Sequence, residues 1–305
     1  MKVLRQGFAL TLGLLMAGGP FIAFGADSVA ASGAVPLSVT DAAARADVRK
    51  ISAAKIILVG DSTTAVLGGW GPGFCAHRVT SFVSCVNLGR GGRSSLNYRS
   101  EGSWDIALSE MRSGKEAYNS TYVLIQFGHN DQPGKPGRST DLDTEFPQNL
   151  RRYVEETRAA GGIPVLVTPL TRRMFKDGKL ENDLEPWAEA TRKVAKEMNV
   201  PLVDLHARSR AAVESMGAVE AMKFAQGEPP AHVRDAAKSG TTIPASTPAP
   251  NLTDEQRRNL AEPMGQVKSG FDYTHIGPVG ADFFAKIVAE ELANAVPALR
   301  KGLVL

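Results

Sequence analysis

The sequence has few of the residue types on which several kinds of functional site depend. Among its 305 residues are only two cysteines and five histidines. Transition-metal sites need several Cys, His or carboxylate ligands at characteristic spacings, and we find no such spacing here. The chain also lacks an excess of one charge, because 35 Lys and Arg oppose 32 Asp and Glu. A charge-driven partner such as nucleic acid is therefore not indicated.

The sequence also lacks a convincing membrane span. An apolar stretch occupies residues 8–17, but it is short and contains a glycine. Lys2 and Arg5 precede it and small residues follow it, which is the layout of a secretory signal peptide. We predict a signal peptide at 1–26, a lead segment at 27–50, and a secreted or periplasmic protein without membrane contact after signal removal. An uncleaved amino-terminal anchor is the alternative.

The two cysteines, Cys75 and Cys85, lie close together in the sequence. Export permits a disulfide between them, and that bond would close a short loop beside the predicted second strand. On the chain-entropy model, such a bond stabilises the fold by ~2 to 3 kcal/mol. Two buried free thiols are the alternative.

Short apolar runs alternate with helical or turn-rich segments along the chain. The runs lie at 55–59, 82–88, 122–127, 163–168 and 200–205. This alternation predicts an α/β fold with a parallel sheet and helices on both faces, in a single domain at 51–300. Residues 228–265 are polar and rich in Pro, Thr, Ser and Ala, which predicts a surface insertion with a short helix near 253–260. A passive loop and a lid are both compatible with this composition.

A serine and an Asp-x-x-His pair are the candidate catalytic residues. Ser62 lies in Gly-Asp-Ser-Thr directly after the first run, and the carboxyl ends of parallel strands are where such sheets carry chemistry. A serine hydroxyl needs a base to become a nucleophile. His275 fits that role because Asp272, three residues earlier, can be aimed at the imidazole by a turn. Taken singly, each motif is also common in ordinary turns and surface pairs.

Two further residues offer hydrogen-bond donors for a developing oxyanion. Gly92, in Gly-Gly-Arg-Ser-Ser, permits close backbone approach, and Asn130 follows the third run with a side-chain NH2. With the amide of Ser62 they would make three donors for one tetrahedral intermediate. An Asx-turn is the alternative role of Asn130. We interpret the neighbouring His129 as a packed support residue.

These motifs, in this order, resemble the blocks of the SGNH (GDSL-type) hydrolases. The motifs are most similar to those of rhamnogalacturonan acetylesterases. They are Gly-Asp-Ser-Thr, Gly-Gly-Arg-Ser-Ser, Phe-Gly-His-Asn-Asp, and Thr-His before Gly-Pro-Val-Gly-Ala. The resemblance implies a flavodoxin-like three-layer α/β/α fold with a five-stranded parallel sheet. It also implies a serine esterase, without metal or other cofactor, that removes acetyl groups from pectic polysaccharide. Ser62, Asp272 and His275 would be catalytic, and Ser62, Gly92 and Asn130 would form the oxyanion hole.

The substrate that the resemblance implies is negatively charged, so an arginine could bind it. Pectic backbones carry galacturonate, and Arg93 beside Gly92 is a candidate substrate clamp. Alternatively, Arg93 ties its loop to a neighbouring carboxylate. Trp70 and Trp104 could stack on sugar rings or pack in the core.

Several different functions compete with this hypothesis. The same Asp, Asn and His residues could be imagined as a metal phosphoesterase site, although the usual ligand spacing is missing. An SGNH esterase or lipase that acts on another acyl ester also competes, as does a non-catalytic secreted carbohydrate-binding protein. Thr64 occupies the last glycine position of a Gly-x-Ser-x-Gly motif, which argues against the nucleophile elbow of α/β-hydrolases.

Overall fold

Parallel strands form the central sheet of the protein, seen here in a computed structural model that describes residues 51–244 and 270–305. The strands are β1 (Ala54–Gly60), β2 (Val83–Asn87), β3 (Ser120–Gln126), β4 (Ile163–Val167), β5 (Phe175–Lys176), β6 (Lys179–Leu180) and β7 (Leu202–Val203). β5 and β6 form a separate antiparallel hairpin. The sheet order is β2-β1-β3-β4-β7 with every pair parallel. This order confirms the predicted flavodoxin-like sheet, whose strand order reverses at β1 and β3.

Helices cover both faces of this sheet. They are α1 (Gly71–His77), α2 (Asn97–Ser100), α3 (Ser103–Arg112), α4 (Glu145–Ala159), α5 (Glu185–Glu197), α6 (Leu205–Glu220), α7 (Ala231–Ala237) and α8 (Pro278–Ala295). Side chains of a strand alternate between its two faces. On β1, Ile56 and Leu58 pack into one apolar cluster, whereas Ile57 and Val59 pack into the other. The three-layer arrangement therefore follows from strands that are apolar on both faces.

The two apolar clusters also contain both tryptophans for which a sugar-stacking role was open. Trp70 packs in the cluster that includes Phe74 of α1 and Phe284 of α8. Trp104 packs in the other cluster, where its ring meets that of Tyr153 edge to face with centroids 4.7 Å apart. Trp70 is 0% exposed and Trp104 is 2% exposed. Both rings therefore serve core packing and neither is accessible to a sugar.

The predicted insertion at 228–265 is only partly within the described residues. Helix α7 forms inside it, and Val233 and Ala237 of this helix are buried in the core. This stretch is therefore not a purely external loop, and a helix of seven residues is too short to show a clear period in the sequence. The helix predicted near 253–260 lies outside the described residues, as do the predicted signal peptide and lead segment.

The disulfide considered from the sequence is present in the structure. Cys75 of α1 and Cys85 of β2 are bonded, with their Cα atoms 5.4 Å apart. The bond joins the helix after the first strand to the edge strand of the sheet. None of the helices within 51–244 and 270–305 is both long and apolar enough to cross a membrane.

Candidate active site

A tight turn at the carboxyl end of β1 presents Ser62. The amide of Thr64 donates to the carbonyl of Asp61 at 3.1 Å, and the buried carboxylate of Asp61 accepts from the amide and the hydroxyl of Thr63 at 2.8 Å each. A Cβ atom at Gly60 would lie 2.6 Å from Thr64 Oγ1, so only glycine fits where the turn begins. Ser62 itself is 6% exposed.

Gln126, at the end of β3, holds this turn from the neighbouring strand. Its Oε1 accepts hydrogen bonds from Thr64 Oγ1 at 2.9 Å and from Trp70 Nε1 at 2.6 Å, and its Nε2 donates to Thr63 Oγ1 at 2.8 Å. Gln126 is completely buried and all of these partners lie in the loop that carries Ser62. The sequence analysis missed this residue. Its signal is a polar residue at the end of an otherwise apolar run.

Asp272 and His275 form the hydrogen-bonded pair that their spacing predicts. Asp272 Oδ2 lies 2.7 Å from His275 Nδ1, and Asp272 Oδ1 accepts from the amides of Thr274 and His275 at 2.7 and 2.6 Å. Burial would raise the pKa of Asp272, but the hydrogen bonds from His275 and Thr274 outweigh it and hold this pKa below its ordinary value. The carboxylate is thus ionised and fixed against the imidazole.

The loop of His275 is docked on the loop of Ser62. The amide of Ile276 donates to the carbonyl of Gly68 at 2.9 Å, and the amide of Trp70 donates to the carbonyl of Thr63 at 2.9 Å. Within the described residues, Ser62 Oγ and His275 Nε2 share no hydrogen bond. Catalytic hydrogen bonds in free enzymes are often long and tighten when substrate binds. The main-chain contact between Ile276 and Gly68 places the two loops side by side.

A buried arginine supports the Asp272 loop through its main chain. Arg173 is 1% exposed, and its Nη2 donates to the carbonyls of Asp272 and His275 at 2.8 Å each. The amide of Arg173 also donates to the carbonyl of Tyr273 at 2.9 Å. Burial lowers the pKa of Arg173 to about 10, which leaves it charged at neutral pH. The sequence analysis missed this residue, although it belongs to an Arg-Arg pair shortly after β4.

Replacing Arg173 with methionine is expected to lower kcat by about 100-fold, because a displacement of roughly 1 Å at a catalytic group costs that much. The buried carbonyls of Asp272 and His275 would also lose their charged donor. The measurement is kcat and KM for a small aryl acetate, with Arg173→Lys as the conservative variant. A purely structural role predicts instead a lower melting temperature with natural kcat in the fraction that remains folded.

The predicted oxyanion donors lie at the ends of three neighbouring strands. Ser62 follows β1, Gly92 follows β2 and Asn130 follows β3. Within the described residues, the amides of Ser62 and Gly92 donate to no other group. Gly92 has a φ of +75°, a conformation that favours glycine. Asn130 Nδ2 donates one hydrogen to the carbonyl of Arg93 at 3.0 Å, which orients the side chain and leaves its second N–H available.

Asp131 joins the loop of Asn130 to the loop of Gly92. Its Oδ1 accepts from the amide and the hydroxyl of Ser95 at 3.0 and 2.6 Å, and its Oδ2 accepts from the amide of Gly128 at 3.1 Å. Burial raises the pKa of Asp131 to about 7, although the hydrogen bonds from Ser95 oppose this shift. The residue is completely buried, so it positions other groups and does not meet substrate.

His129, the residue before Asn130, has a buried side chain. Its Nδ1 lies 3.4 Å from Asp61 Oδ2, and burial lowers the pKa of this histidine. Its place in the structure is that of a packed support residue. Among residues 51–244 and 270–305, no group of three or more His, Cys, Asp and Glu side chains is arranged to hold a metal ion.

Arg93 is bonded to a neighbouring carboxylate and to its own loop. Its Nε donates to Glu101 Oε2 at 2.8 Å and its Nη1 donates to the carbonyl of Gly91 at 2.7 Å. The side chain is 6% exposed. The structure therefore shows the alternative, a tie to a neighbouring carboxylate, and the substrate role of Arg93 stays a prediction.

Replacing Asn130 with alanine is expected to lower kcat by about 100- to 1000-fold, the usual cost of one oxyanion-hole donor. The variant also loses the hydrogen bond to Arg93, so its melting temperature is measured beside its activity. The expected result is a folded protein with crippled turnover of an aryl acetate. Near-normal kcat in a folded variant would remove Asn130 from the oxyanion hole.

The family of the protein follows from comparison with known proteins. The model of the GDSL-like Lipase/Acylhydrolase family matches residues 58–236. The chain belongs to this family. It is therefore a carboxylic ester hydrolase, and the SGNH resemblance seen in the sequence is confirmed. The matched residues include Ser62, Gly92 and Asn130 but end before Asp272 and His275, whose pairing rests on the structure.

Two relatives carry more specific names. Rhamnogalacturonan acetylesterase RhgT of Bacillus subtilis (strain 168) is 33% identical over 178 residues, which are 56% of this chain and 72% of that protein. The probable rhamnogalacturonan acetylesterase YesY of the same strain is 32% identical over 163 residues, 51% of this chain and 72% of that protein. The YXIM protein of Bacillus subtilis, a crystal structure, has a TM-score of 0.53 and 21% identity. That likeness covers 80% of this chain and 57% of that structure, and it supports the fold alone.

Proposed function

We propose that this protein is a serine acetylesterase that removes acetyl groups from rhamnogalacturonan-type pectic polysaccharide. The observation that carries the esterase chemistry is the Asp272–His275 pair, joined at 2.7 Å and docked beside the turn of Ser62. The names of the relatives RhgT and YesY support the acetyl ester and the pectic substrate.

The first half of the reaction uses the groups at the ends of β1, β2 and β3. Ser62 Oγ attacks the acetyl carbonyl carbon while His275 Nε2 takes its proton, and Asp272 stabilises the imidazolium that forms. The negative charge on the carbonyl oxygen is met by the amides of Ser62 and Gly92 and by Asn130 Nδ2. His275 then returns the proton to the sugar oxygen as the ester C–O bond breaks.

The second half releases acetate from the acetyl-enzyme. A water molecule gives a proton to His275 Nε2 and attacks the acetyl carbon, and the same donors stabilise the second tetrahedral intermediate. The bond to Ser62 Oγ breaks as His275 returns the proton to it. Serine, histidine and aspartate thus end the cycle in their starting states.

Acetate release with chelator present tests this function. The protein is expected to release acetate from acetylated rhamnogalacturonan and from a small aryl acetate, and much less from acetylated xylan. If the protein hydrolyses the aryl acetate but not acetylated rhamnogalacturonan, the result would support the mechanism and contradict the pectic substrate. Loss of activity with the chelator would favour the metal-dependent alternative.

We also propose that the protein is exported, with a signal peptide at 1–26, a lead segment at 27–50 and one hydrolase domain at 51–300. The disulfide between Cys75 and Cys85 supports this, because disulfides persist in oxidising compartments. The test is amino-terminal sequencing of the protein recovered from the periplasm or medium of a bacterium that expresses the full chain. A protein that keeps Met1 and remains in the cytoplasm would contradict it.

A longer acyl group is the second candidate substrate. Val66 and Leu67, in the loop after Ser62, are 63% and 62% exposed and line a groove with Leu88 and Arg90. Such apolar side chains would suit an acyl chain longer than acetyl. Aryl esters of increasing chain length decide the matter: the acetylesterase proposal expects kcat/KM to fall from acetate to butyrate and octanoate.

A further inference from the structure

The loop that follows Asn130 carries two cations beside the candidate oxyanion hole. The loop is folded on itself, because Ser139 Oγ donates to the carbonyl of Gln132 at 2.8 Å and accepts from the amide of Lys135 at 2.9 Å. The amide of Arg138 donates to the carbonyl of Lys135 at 3.0 Å. Lys135 and Arg138 therefore lie on one tight turn.

Arg138 contacts the residue that is predicted to donate to the oxyanion. Its Nη1 lies 3.4 Å from the carbonyl oxygen of Gly92 and 3.5 Å from the place where a Cβ atom of Gly92 would be. The side chain is half-buried, and within the described residues it has no carboxylate partner. Its guanidinium thus keeps donors for another acceptor next to the reacting ester.

Lys135 contacts the main chain next to Asn130. Its Nζ donates to the carbonyl of His129, the residue before Asn130, and within residues 51–244 and 270–305 it too has no carboxylate partner. Burial and the positive charges of Arg172 and Arg138 lower the pKa of Lys135 to about 8, although the negative charges of Asp61 and Asp131 oppose this shift. The two cations therefore share a half-buried region in which, among the described residues, neither is in direct contact with a carboxylate.

Most other charges nearby are already paired or enclosed. Arg172 Nε lies 3.3 Å from Thr274 Oγ1, but this guanidinium is bound to the carboxylate of Asp183. The carboxylates of Asp61 and Asp131 are 0% exposed; Asp61 accepts hydrogen bonds from its own loop and Asp131 accepts from Ser95 of the Gly92 loop. Arg90, which lines the groove beside Val66, is exposed and, like Lys135 and Arg138, has no carboxylate partner within the described residues. The charge that remains available around the site is therefore positive, and Lys135 and Arg138 carry it on the side of Asn130.

We propose that Arg138 and Lys135 form a carboxylate-binding site that takes the uronate group of the substrate next to the acetylated sugar. This rests on the proposed function for the identity of the substrate. A guanidinium offers two parallel N–H donors to a carboxylate, and an ammonium adds a point charge. An anionic sugar residue would also relieve the repulsion between the two cations, which a neutral xylan cannot do.

Direct binding tests this site without relying on catalysis. Calorimetry compares an unacetylated oligogalacturonate with its fully methyl-esterified, neutral form, for the natural protein and for Arg138→Gln, Lys135→Gln and Arg138→Lys. The natural protein is expected to bind the acid more tightly than the ester. Arg138→Gln is expected to raise Kd for the acid by about tenfold, the effect of losing a charged hydrogen bond, with a much smaller change for the ester. Arg138→Lys should recover part of this loss.

Arg112→Gln is the matched control, because Arg112 is an exposed arginine in the last turn of α3. It should change neither Kd. Absence of binding of the acid to the natural protein, or equal losses for acid and ester in Arg138→Gln, would overturn the proposal. Acetate release from acetylated rhamnogalacturonan, measured separately, reports on the proposed function. Calorimetry therefore reports on the anion site and acetate release reports on pectin deacetylation, so that failure of one proposal is distinguishable from failure of the other.

Discussion

Replacing Ser62 with alanine is expected to lower kcat for ester hydrolysis by at least about 10⁴-fold, since loss of a serine nucleophile removes the covalent pathway. The fold should survive, because the described hydrogen bonds of this turn come from Asp61, Thr63 and Thr64 and none comes from the Ser62 hydroxyl. The measurement is initial-rate hydrolysis of an aryl acetate, with the melting temperature as the test of folding.

Ser215 provides the matched control for this substitution. It is an exposed serine of α6 whose hydroxyl donates to the carbonyl of Ala212 at 2.8 Å. Ser215→Ala should keep natural kcat and KM. If folded Ser62→Ala retained more than about one hundredth of the natural rate, another group would have to be the nucleophile.

Replacing His275 with alanine is expected to be nearly as severe, because no other described histidine approaches the Ser62 loop with an accessible ring. His129 is buried and His206 is enclosed by Pro169 and Asn182. Residues that act as one unit are strongly non-additive. The double variant Ser62→Ala with His275→Ala should therefore be no slower than either single variant. Additive losses would mean that the two residues act in separate steps.

Two variants complete the test of the base. His232→Ala is the control, since His232 is an exposed histidine of α7, and it should keep natural activity. Asp272→Asn should lower kcat by about 10⁴-fold, because an amide in place of the carboxylate favours the wrong imidazole tautomer. Unchanged kcat in Asp272→Asn would contradict the orienting role of the 2.7 Å hydrogen bond.

The sheet and the catalytic residue types were predictable from local patterns. Runs such as 55–59 and 122–127 are apolar on both faces, as buried parallel strands require, and they coincide with the centres of β1 and β3. Ser62 and Asn130 follow these strands directly. Because parallel strands end at one edge of the sheet, sequence order alone brought these residues to neighbouring places.

The residues that position the site were not predictable in the same way. Gln126, Asp131 and Arg173 act through hydrogen bonds to loops that are distant in sequence, and Arg173 Nη2 reaches a carbonyl 102 positions away. A sequence shows residue types and spacings but not the direction of a buried side chain. For Arg93, the sequence position beside Gly92 suggested a substrate contact. The direction of its side chain, towards Glu101, is visible only in the structure.

Arg138 shows how the fold brings together residues that are distant in the sequence. Arg138 is 46 positions from Gly92, and only the folded loop after Asn130 brings its guanidinium to the Gly92 carbonyl. Proximity along the chain pointed to Arg93, whereas the cation proposed here to bind a uronate lies in the loop after another strand. The choice between them depends on burial and on existing partners, which are properties of the fold.

The central claim is that Ser62 is a nucleophile activated by His275, and covalent labelling tests it most directly. The protein is treated with an aryl phosphonate ester and the modified peptide is located by mass spectrometry, for the natural chain, Ser62→Ala and His275→Ala. We expect one adduct, on Ser62, formed in step with loss of activity, absent from Ser62→Ala and far slower in His275→Ala. Inactivation with the adduct on another residue, or equal labelling rates in the natural chain and His275→Ala, would contradict it.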